Sequence, residues 1–502
     1  METVTPGPSK TWTATWPISA AVSAVVWLCW ALLVRPDWTA VLLLLSPFVL
    51  VALGLRVAAQ AGPQSRLVVV MAQVAPLIAL APAASYALDP GLLAAALTVP
   101  WLLFTIVVAL AGVARLLTRT SLQDGAWAID FGLIYIVVGG TWLTITRAGL
   151  RPLHFHEPII ELTAVHFHYA GFALPIVAGL VAHRSNYGAN IAAAVVLGVP
   201  FTALGITVGG TLEWIAATFM ALAGLGVAAL LVDTARRANG LARLLTIAAG
   251  LSLAGGMSLA IGWAWAVRFG WNYLGLQEMA GMHGSLNALG FGFLGLLGLN
   301  LMASSDATTN LTARVALYVG RPTVEHLEAL ACRAEIQSPT NMPGLLHRDL
   351  PVGFKRKVWT RQIAHGDFDR AADAIRSWAG HDCAGIVRWP AQPPIMAGQT
   401  LAMAIPVGPL AITATSRIID VVDEPERYGF TYTTMPHHPV DGEESFIVER
   451  GPTGAVTVTV IAVWQQAMLA TRVCPPVTTF LQDRAIGQYL DGIANSKSPV
   501  RT

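Results

Sequence analysis

Apolar runs of about 20 residues, closed by Arg, Asp, Pro or Gly, repeat from residue 16 to 302. Each is long enough for a helix to cross a bilayer, which takes about 20 apolar residues. Ten spans are read: about 16–34, 38–59, 67–88, 91–113, 126–146, 159–182, 188–208, 211–232, 243–267 and 276–302. Only Gly209-Gly210 separates the seventh from the eighth, so those two form a tight hairpin. Beyond residue 306 the pattern becomes that of a water-facing domain. Asp367 is placed to cap a helix whose apolar stripe is Phe368, Ala371, Ala372, Ile375 and Trp378. Short segments rich in Val, Ile, Thr and aromatics follow, at about 384–389, 400–406, 411–422, 428–435, 445–449 and 456–464. Asp441-Gly442 and Gly451-Pro-Thr-Gly454 read as hairpin turns, and a last helix is expected over about 477–493. Consecutive strands with short turns predict an antiparallel sheet with the helices packed on one of its faces.

Composition agrees with a division into two parts. The 502 residues are 55% hydrophobic and 12% charged, with a mean hydropathy of +0.59, against about 25% charged in an ordinary soluble chain. The net charge of +2 and the absence of a basic block give no footprint for nucleic acid. Cys29, Cys332, Cys383 and Cys474 form no CxxC pair, so neither a zinc site nor a disulfide framework is indicated. The polar first fifteen residues lack a clear cleavage motif, and the first apolar run is read as a retained helix. Lys and Arg collect on the cytoplasmic side of membrane helices. One set of alternate loops holds nine (Lys10, Arg56, Arg66, Arg115, Arg119, Arg184, Arg236, Arg237, Arg243), and the other holds four (Arg35, Arg147, Arg151, Arg268). That bias places both termini in the cytoplasm and the protein in a bacterial-type inner membrane.

Ionisable groups inside the spans are costly and mark candidate function. The sixth span carries Glu161, His166 and His168; the eighth opens on Glu213; the tenth opens on Glu278, Met279, Met282, His283 and Asn287. With the N-terminus inside, all three sets lie in the outer half. Glu161 and His168, two turns apart, share a face, whereas His166 points about 200° away from His168. His283 and Asn287, four apart, also share a face. The centre is therefore expected to combine Glu161, His168, His283 and Asn287, with Glu213 near the mouth and His166 at a second position. His154, His156 and Glu157 stand before the sixth span as an outer vestibule. The bland alternative is that these groups only hydrogen-bond between helices. The residue types suit a substrate or proton site of a transporter. They also suit a haem or copper centre with His168, His283 and Met282 as candidate ligands, so the cofactor stays open. In the soluble part, His437, His438, Asp441, Glu443 and Glu444 could bind a metal, although the turn chemistry of Asp-Gly explains the patch without one. Lys355, Arg356, Lys357 and Arg361 could meet lipid headgroups, or form a solvated face.

Two resemblances add to this reading. Leu350-Pro-Val-Gly-Phe354, Gly366-Asp-Phe-Asp-Arg-Ala371, Trp378 and Tyr428-Gly-Phe-Thr-Tyr-Thr-Thr-Met-Pro-His-His-Pro-Val-Asp-Gly-Glu-Glu-Ser-Phe446 resemble the domain-of-unknown-function nineteen-ninety family over about 310–495. His437 stands where that family's pattern has Gly. The resemblance implies a START-like or birch-allergen-like helix-grip fold, a curved antiparallel sheet around a long C-terminal helix, with a cavity for a small apolar or lipid ligand. His166-Phe-His-Tyr-Ala-Gly-Phe172 and His283-Gly-Ser-Leu-Asn-Ala-Leu-Gly-Phe291 resemble the YndJ-like family, which implies a multi-span protein, described at most as a transporter, and brings no substrate or catalytic residue. The expected architecture is a polytopic α-helical membrane bundle of about ten spans plus a C-terminal α+β helix-grip domain. Its parts are a tail (1–15), the bundle (16–302), a linker (303–320) and a cytoplasmic domain (321–502). Three functions remain: a transporter with a ligand-sensing soluble domain, a haem or copper redox protein, and a lipid-handling protein. Membrane lipids are the expected partners.

Overall fold

The computed structural model describes residues 9–61, 66–306, 317–319, 321–341, 343–363, 367–408, 410–436, 438–473 and 475–496. Residues 1–8 of the tail, most of the 303–320 linker, and His437 lie outside them. Contacts divide the chain into two compact units, Met1–Leu116 with Leu122–Leu311 and Leu117–Ser121 with Thr312–Thr502.

The first unit holds ten helices long and apolar enough to cross a membrane. They are α1 (Trp16–Val34), α2 (Trp38–Gln60), α3 (Leu67–Ser85), α4 (Leu92–Leu117) and α5 (Ala128–Arg147). Then come α6 (Ile159–Arg184), α7 (Gly188–Val208), α8 (Gly210–Ala235), α9 (Gly240–Phe269) and α10 (Leu276–Ala303). The expected boundaries hold within a few residues. The α7–α8 turn takes φ of 78° at Gly209 and 63° at Gly210, which glycine adopts readily and other residues do not.

Polar partners on neighbouring helices meet the buried arginines of α2 and α4. Arg115 on α4 and Asp130 on α5 meet at 2.8 Å, both buried, and Arg115 Nη1 also donates to the Ala58 carbonyl on α2. Arg56 on α2 donates to Asn300 Oδ1 on α10 at 2.6 Å. Asp130, at the start of α5, is thus a buried tie between spans. A charge in hydrocarbon is tolerable when it is paired and hydrogen-bonded.

Three spans are not regular helices. Wide turns, with N–H groups bonded five residues back, occupy Ser46–Leu50 in α2, Phe167–Ala173 in α6 and Leu286–Phe293 in α10. Val51 N–H reaches Ser46 O, Leu174 N–H reaches Tyr169 O, and Leu294 N–H reaches Leu289 O. Such turns are rare and frequent at functional sites. The three pack against one another. A Cβ added to Gly292 would stand 2.7 Å from Leu50 Cδ2 and 3.3 Å from Tyr169 Cδ1, so all three wide turns touch at this glycine.

The second unit is an antiparallel sheet with helices. Its strands are β1 (Leu317–Val319), β2 (Lys355–Ile363), β3 (Val387–Trp389), β4 (Thr400–Val407), β5 (Leu410–Glu424), β6 (Arg427–Thr434), β7 (Val440–Arg450) and β8 (Val456–Gln466). The order is β2-β8-β7-β6-β5-β4-β3, and β1 pairs with β5. Its helices are α11 (Val324–Glu335), α12 (Phe368–Arg376), α13 (Ala379–Cys383), α14 (Leu469–Val473) and α15 (Pro475–Asn495). Asp367 caps α12 as expected, accepting from Arg370 N–H at 3.0 Å. Alternation sorts the strand residues. Leu401, Met403, Phe430, Phe446 and Val448 face α12, α13 and α15, whereas Ala402 and Ala404 face α11. Helices therefore cover both faces, not the single face expected. Asp441-Gly442 is not a turn either. Both lie inside β7, where a Cβ on Gly442 would come within 1.9 Å of the Val463 carbonyl oxygen of β8. The β6–β7 connection runs through 435–439 instead, while Gly451–Gly454 does form the β7–β8 turn.

Candidate functional site

The polar residues of α6 fall into two groups facing different neighbours. Glu161 Oε1 accepts from Tyr86 Oη, just past α3, at 2.7 Å. Its own N–H donates to Glu157 Oε2, and Glu157 Oε1 accepts from Thr146 of α5 at 2.6 Å. The Arg147 guanidinium lies 4.5 Å over the Tyr86 ring and donates to the Ser85 and Leu88 carbonyls. Glu157 therefore does close on Glu161, while His156 is exposed. His168 is fully buried on the same stripe. Its Nδ1 bonds the Ala164 carbonyl at 2.8 Å, and its Nε2 bonds the Trp101 indole N–H of α4 at 3.1 Å. Since a carbonyl only accepts and an indole only donates, the ring is neutral with its proton on Nδ1. Gly139 of α5 makes the space, as a Cβ there would lie 2.7 Å from His168 Nδ1.

The second group is His166, His283 and Asn287. His283 Nδ1 bonds the Gly256 carbonyl of α9 at 2.9 Å, and its Nε2 meets Asn287 Nδ2 at 3.1 Å. Asn287 Nδ2 also reaches the His283 carbonyl. The same logic makes His283 neutral with its proton on Nδ1. His166 packs edge-on to Phe167, and its Nε2 makes no hydrogen bond. The expected partnership is thus altered: Glu161 with His168 faces α3, α4 and α5, whereas His283 with Asn287 turns to α9. The helical angle between positions 166 and 168 turns those two imidazoles to different sides of α6. Glu213 opens α8, which packs between α7 and α9, and makes no hydrogen bond to this group. Glu278 caps its own helix through the Gly275 N–H.

The residues proposed to ligate haem or copper do not assemble. Both ring nitrogens of His168 and of His283 are engaged within the protein, and Met282 is half exposed. Among the described residues no three His, Cys, Asp or Glu side chains group as metal ligands. Buried polar atoms without a partner occur at several places among the described residues, three of them at or next to the wide turns. Ser46 Oγ, His166 Nε2 and Asn287 Oδ1 are buried and make no hydrogen bond. Sequence reasoning passed over Ser46, Trp101, Gly139 and Gly292. A lone buried indole needs an acceptor, which was a usable signal for Trp101; the others carry none.

In the soluble unit the acidic patch is taken apart by strand alternation. Glu443 is buried on one face and accepts from the Gly344 and Leu346 N–H groups, while Asp441 accepts from Asn341, Thr434 and Gln465. Glu444 points to the other face, under α15, where it accepts from the Tyr432 hydroxyl. Burial pushes the Glu444 carboxyl up to about 7. His438 bonds the Val440 carbonyl, and burial lowers it to about 4. His381, which the sequence did not single out, stacks on Tyr489 at 4.7 Å among Trp378, Tyr432 and Phe446. Burial, then the Arg388 charge, lowers its imidazole to about 3. Lys357 and Arg361 pair with Asp483 and Asp491 on α15, so half of the basic cluster ties β2 to the helix.

Ten apolar helices bearing buried polar groups, followed by an α+β sheet domain, define a multi-pass membrane protein with an appended globular unit. The chain belongs to the YndJ-like family, whose description, "YndJ-like protein", matches residues 41–291; the "Domain of unknown function (DUF1990)" matches 340–492. It is 37% identical over 140 residues to "Uncharacterized membrane protein YndJ" of Bacillus subtilis strain 168, covering 27% of this chain and 25% of that one. It is 40% identical over 75 residues to a "UPF0548 protein" of Deinococcus radiodurans, covering 15% of this chain and 38% of that one. The matched stretches thus span well under two thirds of either relative. A solved Helicobacter pylori hypothetical protein aligns with 31% of this chain and 95% of its own at 8% identity and a TM-score of 0.23.

Proposed function

We propose that this protein is a membrane transporter whose translocation site lies where the wide turns of α2, α6 and α10 meet. The observation that carries this reading is the convergence of three irregular helices on half-buried His166, His283 and Asn287. Non-helical backbone at membrane depth is tolerated where it is buried in protein or lines a cavity, and interrupted helices with small residues are a device of transporters. Glu161 with Tyr86 is a separate proton-exchanging group nearer the outer face. The arginine bias supports an inner-membrane protein with both termini in the cytoplasm. The strand order, the two helices after β2 and the long terminal α15 support a START-like helix-grip reading of the soluble unit, which would sense a ligand for the bundle.

Accessibility labelling tests the site. In a background with the native cysteines replaced, Ser46→Cys and Asn287→Cys should react with a membrane-impermeant maleimide applied in water from the outer side. Reaction only with a lipid-soluble reagent would remove the translocation reading.

A further inference from the structure

We propose that the junction of the three wide turns selects a small uncharged solute that donates hydrogen bonds, and rejects ions. This inference rests on the transporter reading and names its substrate class. Each wide turn supplies or adjoins one buried polar atom that the protein leaves unpaired: Ser46 Oγ on α2, His166 Nε2 on α6 and Asn287 Oδ1 on α10. Cross-helix contacts set their levels. Trp38 Nε1 bonds Ser285 Oγ, the Tyr169 hydroxyl bonds the Leu42 carbonyl, a Cβ on Gly284 would touch Leu42, and one on Gly292 would touch Leu50. The helices α2 and α10 thus run side by side in the same direction. Ser46, midway between Leu42 and Leu50, falls at the level of residues 287–288 of α10. His166 lies one step before the wide turn of α6, which packs against the wide turn that carries Asn287.

The unpaired valences define the ligand. Asn287 has committed its amide protons to His283, so its free Oδ1 only accepts. Ser46 Oγ both donates and accepts, and a neutral imidazole nitrogen does one or the other. A ligand must therefore present N–H or O–H groups to Asn287 and can take a hydrogen bond from Ser46. No fixed charge is available to pair with an ion. Between Asp37 and Arg56 in α2, Glu161 and Arg184 in α6, Arg243 and Arg268 in α9, and Glu278 and Asp306 in α10, the sequence has no Asp, Glu, Lys or Arg. His283 is fixed as a neutral tautomer by Gly256 and Asn287. A desolvated ion would find only dipoles here, whereas a neutral donor exchanges its hydration for the unpaired valences at the junction. Amides, ureas and polyols have this chemistry.

The full chain is reconstituted into liposomes and followed by stopped-flow light scattering after osmotic challenge with urea, acetamide or glycerol. Parallel vesicles report potassium and chloride movement with ion-sensitive dyes. The expected result is re-swelling in the neutral solutes that is faster than in protein-free liposomes, with no added ion flux. Ser46→Ala should reduce that rate while leaving thermal stability unchanged or raised, because the lost hydroxyl has no partner in the fold. Asn287→Leu should abolish it. Ion flux without neutral-solute flux would overturn the selectivity and leave the transporter reading standing. No flux of any kind, with the cysteine probes unlabelled, would overturn both. Neutral-solute flux unchanged in both variants would place the pathway elsewhere.

Discussion

At the scale of single residues, the buried Arg115–Asp130 pair shows what removing a partner costs. Asp130→Ala would leave the Arg115 guanidinium buried without its carboxylate. Breaking a buried pair from one side costs about 3–5 kcal/mol, so the variant should melt well below the parent in a detergent-solubilised thermal assay. An unchanged midpoint would show that the pair is solvated. Glu444 gives a pH-dependent case. Its carboxyl titrates near 7 in the fold against 4.5 in an open chain, so the unfolded form loses its proton first as pH rises. Stability is therefore full below about 4.5 and falls as pH climbs to about 7. Glu444→Gln keeps an acceptor for Tyr432 but cannot ionise. Amide exchange in β6 and β7 should slow relative to the parent as pH rises across that window, after correction for the intrinsic rate, and equal protection at every pH would remove the assignment. His381 works in the opposite direction. Its imidazole titrates near 3 rather than 6.5, so the stability it contributes is present above 6.5 and is lost as pH falls toward 3. His381→Phe should leave the α13–α15 contact less sensitive to acid, read as amide protection in α15.

At the scale of elements, helix existence was legible and helix irregularity was not. In a run such as Trp38–Gln60, apolar on nearly every face, one extra residue per turn shifts no polar residue out of place and leaves no trace in the pattern. The wide turns were therefore invisible, although the residues they organise, His166, His283 and Asn287, stood out by their chemistry. Strand β2 was missed for a different reason. At an edge, its Lys355, Arg356, Lys357 and Arg361 read as a charge cluster, and only the pairing of alternate residues with α15 reveals the strand. Asp441-Gly442 carries a turn signal, but its glycine is required by the close approach of β8. At the junction itself, Gly292→Val should overpack the contact with Leu50 and Tyr169, at about 1–3 kcal/mol. A lower melting point than for Gly292→Ala checks this, and equal midpoints would place the glycine in open space.

At the scale of the whole molecule, the number of spans and their arginines govern sidedness. On the proposed topology a reporter fused after Thr502 should signal from the cytoplasm, and a periplasmic signal would reverse the orientation. The wide turns bear on the molecule in a further way. They act as register marks. Everything beyond them in α2, including Arg56, and everything beyond them in α10, including Asn300, is set by where the extra residue sits. Removing one residue from the α2 turn would restore an ordinary helix and swing Arg56 about 100° around its axis. The guanidinium would leave Asn300 and face hydrocarbon or a different span. The far half of the bundle is thus aligned by two single-residue irregularities, and the length of these helices is as tightly constrained as their composition is free.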